Sequence, residues 1–219
     1  MNTGITKDHQ GMEAEMSEER KGWHKHPNGD GWVQDTATVE TSAYVGPNAQ
    51  VYGNARIYGD AWVSGDAWVS GDAWVSGNAR IYGDAWVSGD AWVYGNARIY
   101  GDAWVYGDAW VYGNAQVSGN ARVSGDAQVY GDARVSGDAW VYGDAWVSGD
   151  AWEQSPLYIQ GTRHALTNSR KGHIAIGCHE HTFAYWKEHY KAIGRKKGYT
   201  KEQIEEYGAY IALFCKVGK

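Results

Sequence analysis

A valine or isoleucine recurs every sixth residue from Val33 to Val147, twenty positions in unbroken register. Four residues after each stands an alanine, from Ala37 to Ala151. Glycine holds the third place of seventeen consecutive units from Gly53 to Gly149, and Asp or Asn the fourth from Asn48 to Asp150. The unit reads V/I-S/Y-G-D/N-A-W/R/Q. A period of six fits no helix, and glycine at that frequency would ruin one. It fits a short strand (x-Val-x) followed by a tight Gly-Asp-Ala turn, three times per coil of 18 residues. Alternation sends Val inward and its two neighbours outward. Glycine permits the corner backbone, and Asp or Asn is predicted to close it with a side-chain-to-backbone bond. Residues 33 to 152 then make a prism about 32 Å long at ~4.8 Å per layer. Its core exists only through stacking, as in any solenoid.

The tandem unit over residues 33 to 152 resembles the hexapeptide-repeat family. That resemblance implies a left-handed parallel β-helix of triangular section. The general crossover rule alone favours the right hand in ~98% of connections. The expected fold class is therefore an all-β solenoid, a left-handed parallel β-helix with a small C-terminal ββαα cap. Residues 1–22 are polar and aperiodic and read as a disordered tail. The solenoid takes residues 23–152, and the capping or interaction domain residues 153–219. In that domain IQGTRHALT and GHIAIGC read as strands. A helix is expected from His181 to about Gly194, and a last one begins behind Thr200 with Gln203 in the capping-box place. The wording RHALT and IAIGC also resembles tails of hexapeptide proteins in phage and prophage genomes. The resemblance supplies no biochemical role; a phage-borne accessory protein in a host cytoplasm, blocking a host protein or sequestering a phosphorylated ligand, is the main alternative reading.

Stacking every eighteenth residue shows what each outer face displays. The first face carries Trp68, Trp86 and Trp104, and the second Trp74, Trp92 and Trp110, with Tyr94 and Tyr112 beside them. The third carries Arg80 and Arg98, next to Tyr82 and Tyr100. Bulky aromatics suit strand surfaces and shield the ladder between coils. Contiguous apolar patches also mark contact surfaces, and Trp, Tyr and Arg are the residues enriched at hot spots. Hexapeptide proteins commonly form trimers, so the resemblance implies a homo-oligomer held by these ladders. Sugar stacking on the Trp ladder is an alternative. Two guanidinium groups one coil apart repel unless an anion, an acidic partner or corner aspartates lie between them. A phosphorylated ligand or an acidic host or phage protein is thus a candidate partner of the third face.

Composition narrows the classes further. Trp 13 and Tyr 16 stand beside only two Phe, as outward aromatic columns require. No apolar run approaches the ~18 residues of a membrane span, and the opening residues have no apolar core for a secretory signal. Two cysteines, Cys178 and Cys215, point to a reducing cytoplasm. Net charge of -6 argues against general nucleic-acid binding, although it hides a split. Residues 1–47 hold four basic and eight acidic residues, 48–152 five and twelve, and 153–219 eleven and six. An acidic shaft invites comparison with a nucleic-acid mimic, but corner carboxylates every ~4.8 Å do not match one phosphate per ~3.4 Å.

Candidate chemistry is sparse. Family acyltransferases and carbonic anhydrases use coil histidines, whereas no histidine here lies between His26 and His164. The expectation is a protein without catalytic function or cofactor. Zinc could use Cys178, His181 and Cys215 with a further histidine as fourth ligand, in no recognised spacing. A column of corner carboxylates from Asp72 to Asp144 is a lesser calcium candidate. End-to-end polymerisation is a further possibility, opposed by the cap over one end.

Overall fold

The computed structural model describes residues 20–149 and 151–218. The tail expected over residues 1–22 thus lies, up to residue 19, outside the described residues. From residue 32 the chain winds through about seven coils of a parallel β-solenoid. Three sheets form its faces, two of seven strands and one of eight. Up to the last coil, shaft strands pair with those eighteen residues on, for instance Trp86 with Trp104 and Val87 with Val105. Each coil donates to the next from strand and corner alike: Trp86 N–H to Ala103 O at 2.9 Å, Ser88 N–H to Val105 O at 2.9 Å, Asp72 N–H to Gly89 O at 3.0 Å. Val45 through Val147 and Ala43 through Ala145 have essentially no exposure. One residue pattern therefore builds one continuous apolar column.

Glycine is required at the corners for two separable reasons. Gly89 sits at φ +68°, where a β-carbon would come 2.8 Å from Gly107 N of the next coil. Gly131 has φ +64° and open space around it. The neighbouring polar residues do not close the turns on the backbone as expected. Among the described residues they reach along the axis instead: Asn78 to Asn96 at 3.4 Å, Asn96 to Asn114 at 3.1 Å, Asn114 to Asp132 at 3.0 Å. Side-chain-to-backbone closure occurs where the repeat degenerates. Ser42 Oγ donates to Gly59 O at 2.7 Å and Thr36 Oγ1 to Gly53 O. Gln34 accepts from Gly53 N–H at 2.8 Å, and Glu40 from Gly59 N–H at 2.7 Å. The atypical first coil thus supplies polar caps for the layer above it.

Both ends of the prism are plugged. At the start, strand Trp23–Lys25 folds back antiparallel on Trp32–Gln34, and His26 is buried beside it. At the far end the register slips by one: Ala151 pairs with Arg134 and Trp152 with Val135. A one-residue slip exchanges the two faces of a strand. Trp152, expected on the outer surface, therefore lies inside at 2% exposure, while Ala151 is exposed. With no further coil to supply a Val and Ala layer, the indole covers the last one.

The cap has four strands, two more than expected. Tyr158–Gln160, Ala165–Arg170, His173–Ile176 and His179–Thr182 form an antiparallel sheet in chain order. The stretch read as one strand, IQGTRHALT, turns at residues 161–164. His179–Thr182 pairs with His173–Ile176, so the first helix begins two residues later than predicted. Helix α1 spans Phe183–Lys196, with Thr182 Oγ1 accepting from Tyr185 N–H at 3.2 Å. Helix α2 spans Lys201–Val217 and has the predicted capping box: Gln203 N–H to Thr200 Oγ1 at 3.3 Å, Thr200 N–H to Gln203 Oε1 at 3.0 Å. Leu166, Ile174, Trp186, Tyr207, Ile211 and Phe214 make a second core, separate from that of the shaft. Strand Ala165–Arg170 packs beside Trp146–Ser148 and joins cap to shaft.

Candidate interaction faces

Strand pairing at one coil per layer places equal residue types in van der Waals contact along the axis. On the first face Trp68, Trp86 and Trp104 stack with centroids 4.8 and 5.1 Å apart and planes within 16°. On the second, Trp74, Trp92 and Trp110 stack at 5.3 and 5.2 Å. Tyr94, Tyr112 and Tyr130 form a parallel column at 5.0 and 5.4 Å. Burial by neighbouring rings pushes the Tyr112 hydroxyl above its ordinary range, and Tyr94 and Tyr130 add to it. The predicted ladders are therefore real columns of contact. Trp92, Trp104 and Trp110 still leave 38–39% of their surface to solvent.

Ring orientation decides what such a wall offers. Each inner ring has its two faces covered by the rings above and below, so solvent meets mainly ring edges. On those inner rings the faces on which a sugar would stack are already occupied. Side-chain freedom is also spent in advance, which lowers the entropy lost when a flat partner covers the wall.

The first-face column is longer than residue types alone suggested. The Arg122 guanidinium lies 5.0 Å from the rings of both Trp104 and Trp140, so Trp68, Trp86, Trp104, Arg122 and Trp140 form one stack. On the third face Tyr44 stacks on Trp62 at 3.8 Å. Above them Arg80 pairs with Arg98 and Tyr82 with Tyr100, the two tyrosine rings 5.0 Å apart and within 3° of parallel. Among the described residues neither arginine makes an ion pair or guanidinium hydrogen bond. Corner aspartates do not neutralise this pair.

The proposed zinc ligands are not gathered. Cys178 is exposed, whereas Cys215 is half-buried on α2 with its thiol 3.9 Å from Phe183 O. His181 packs against Tyr185 at 4.1 Å. Among the described residues no group of three His, Cys, Asp or Glu is placed to hold a metal, the corner aspartates included. Among the described residues no helix is long and apolar enough to cross a membrane.

The fold defines a β-solenoid repeat protein. A family model described as the YdcK beta solenoid repeat matches residues 49–65, 73–89, 79–95, 91–107, 97–113, 115–127 and 127–143, all within the shaft. The shaft is thus similar to that repeat. No curated protein and no solved structure matches the chain.

Proposed function

We propose that the chain is a non-catalytic scaffold whose aromatic faces bind flat protein surfaces, first of all those of its own copies, as a trimer. The observation that supports this most is the pair of stacked tryptophan columns, which are ordered beforehand yet still partly exposed. Burying apolar edges there gains hydrophobic free energy at little conformational cost. Shaft carboxylates at the corners oppose close approach of parallel copies, so salt should strengthen the assembly by screening them. Light scattering coupled to size exclusion at low and high salt tests this. A trimer favoured by salt, and dissociated by Trp92→Ser with Trp110→Ser, is expected. A monomer at both salt concentrations would reject it.

A second reading rests on the uncompensated Arg80 and Arg98. This face would take a phosphate-bearing ligand or an acidic host or phage protein, as a phage-borne accessory protein would. Phosphate titration of Arg80→Ala with Arg98→Ala should show lost binding, and unchanged affinity removes the idea.

A further inference from the structure

The cap holds a half-open cavity of about 140 Å³ that the scaffold reading does not use. Its floor is apolar: Ile176, Trp186, Tyr207 and Ile211 are all buried. Exposed Arg163, His164 and Lys197 stand at its mouth. Every charged side chain lining it is basic, and no carboxylate is among them.

Arg163 is held but not neutralised. Its Nη1 donates to Gly198 O at 3.0 Å, and its guanidinium lies 4.7 Å from the Tyr199 ring. The neighbouring carboxylate, Glu206, is taken by Thr162, accepting from its N–H at 3.0 Å and its hydroxyl at 2.5 Å. The carbonyls at the end of α1 do not oppose an anion strongly, because Lys197, Gly198 and Tyr199 N–H groups already bond Ile193, Gly194 and Arg195 O. Burial, chiefly, pushes the Tyr199 hydroxyl up to about 12, so it stays a neutral wall. Tyr207 fixes the floor: its Oη accepts from His164 N–H at 2.5 Å and from Arg163 N–H at 3.0 Å.

We propose that this cavity binds a small monocarboxylate with one apolar ring, the ring on the Ile176–Trp186–Ile211 floor and the carboxylate at Arg163 and Lys197. The size argues for one ring, since an apolar cavity of ~150 Å³ holds benzene. The mouth argues for a single anionic group, because no carboxylate lines it to take the charge-assisted bond. This site is independent of the aromatic faces of the shaft.

Isothermal titration of the intact chain with phenylacetate, benzyl alcohol and acetate tests it. Phenylacetate should bind roughly tenfold or more tighter than either of the others, and Arg163→Ala should remove about that factor. Lys197→Ala, at an exposed position, gives a second variant that leaves the fold intact, checked by circular dichroism. Cys178 lines the same cavity and is exposed, so in a Cys215→Ser background phenylacetate should slow its alkylation by a maleimide. Three results would each overturn the proposal. These are benzyl alcohol binding as well as phenylacetate, affinity unchanged in both variants, or no heat and no protection of Cys178.

Discussion

The shaft and the cap hold themselves together in opposite ways. In the shaft every layer repeats the same Val, Ala and Gly contacts, and each coil bonds only to its two neighbours. Stability there is a sum of near-identical terms. In the cap each contact occurs once. Tyr207 on α2 reaches back to His164, and Trp186 Nε1 on α1 donates to Ile174 O at 2.8 Å. Losing one such tie removes something that no other layer duplicates. A repetitive region therefore tolerates local damage, while a single-copy region fails as a unit. This asymmetry also separates the chemistry: wide uniform faces on the shaft, a half-open apolar cavity in the cap.

The largest expected effect is in the cap. Phe214 is fully buried in the second core, and Phe214→Ala should cost about 3–5 kcal/mol. Denaturant unfolding followed by circular dichroism should show the helical signal lost early while the sheet signal keeps its midpoint. Val87→Ala, in mid-shaft, should cost about 1–3 kcal/mol and leave the helices untouched. A single shared transition for both variants would break the comparison.

Smaller changes sharpen it within the shaft. Gly131→Ala meets no atom, so it should cost only the left-handed penalty of about 1–2 kcal/mol. Gly89→Ala incurs the same penalty and also drives a β-carbon against Gly107 N. Its loss should be about double in the same denaturant experiment. Equal losses would mean that adjacent coils yield freely, and that the layers are less coupled than their spacing implies. In the cap, Thr200→Ala removes one half of the capping box and should cost about 1 kcal/mol, read as a lower midpoint of the helical signal.

What could be read beforehand follows the same division. The six-residue period specifies strand, corner and stacking together, so the solenoid and the columns Trp68–Trp86–Trp104 and Arg80–Arg98 were visible as residue spacing. The slip at Trp152 was not, because inward burial of that indole depends on there being no further coil above it. Nor was Arg122 legible as a ring-to-ring link, since its type says nothing of where the guanidinium settles. The cap was half legible. Thr200 and Gln203 announce a helix start locally, whereas His179–Thr182 reads as a polar stretch and becomes a strand only by pairing with His173–Ile176. The cavity needs Arg163 and Ile211 around one space. No local pattern reports a contact between residues so far apart in the chain.

The smallest effect is the most selective test of the division. His181 packs against Tyr185 and presents its edge to Trp186 at 5.2 Å. Burial lowers its pKa from the ordinary 6.5, and His179 lowers it further. Glu180 opposes that shift, and His189 and His173 add to it weakly. Around and below its ordinary value the unfolded chain therefore binds more protons than the folded one, so stability drops as the pH drops. His181's contribution is complete above pH 6.5 and is lost as pH drops through the lowered value. The shaft has no histidine between His26 and His164. Acidification from neutral pH to about 5 should therefore lower the midpoint of the helical signal and leave that of the sheet in place. His181→Gln should flatten the helical response. Parallel loss of both signals, or an unchanged slope in His181→Gln, would show that the cap and shaft do not melt as separate units or that another group carries the proton.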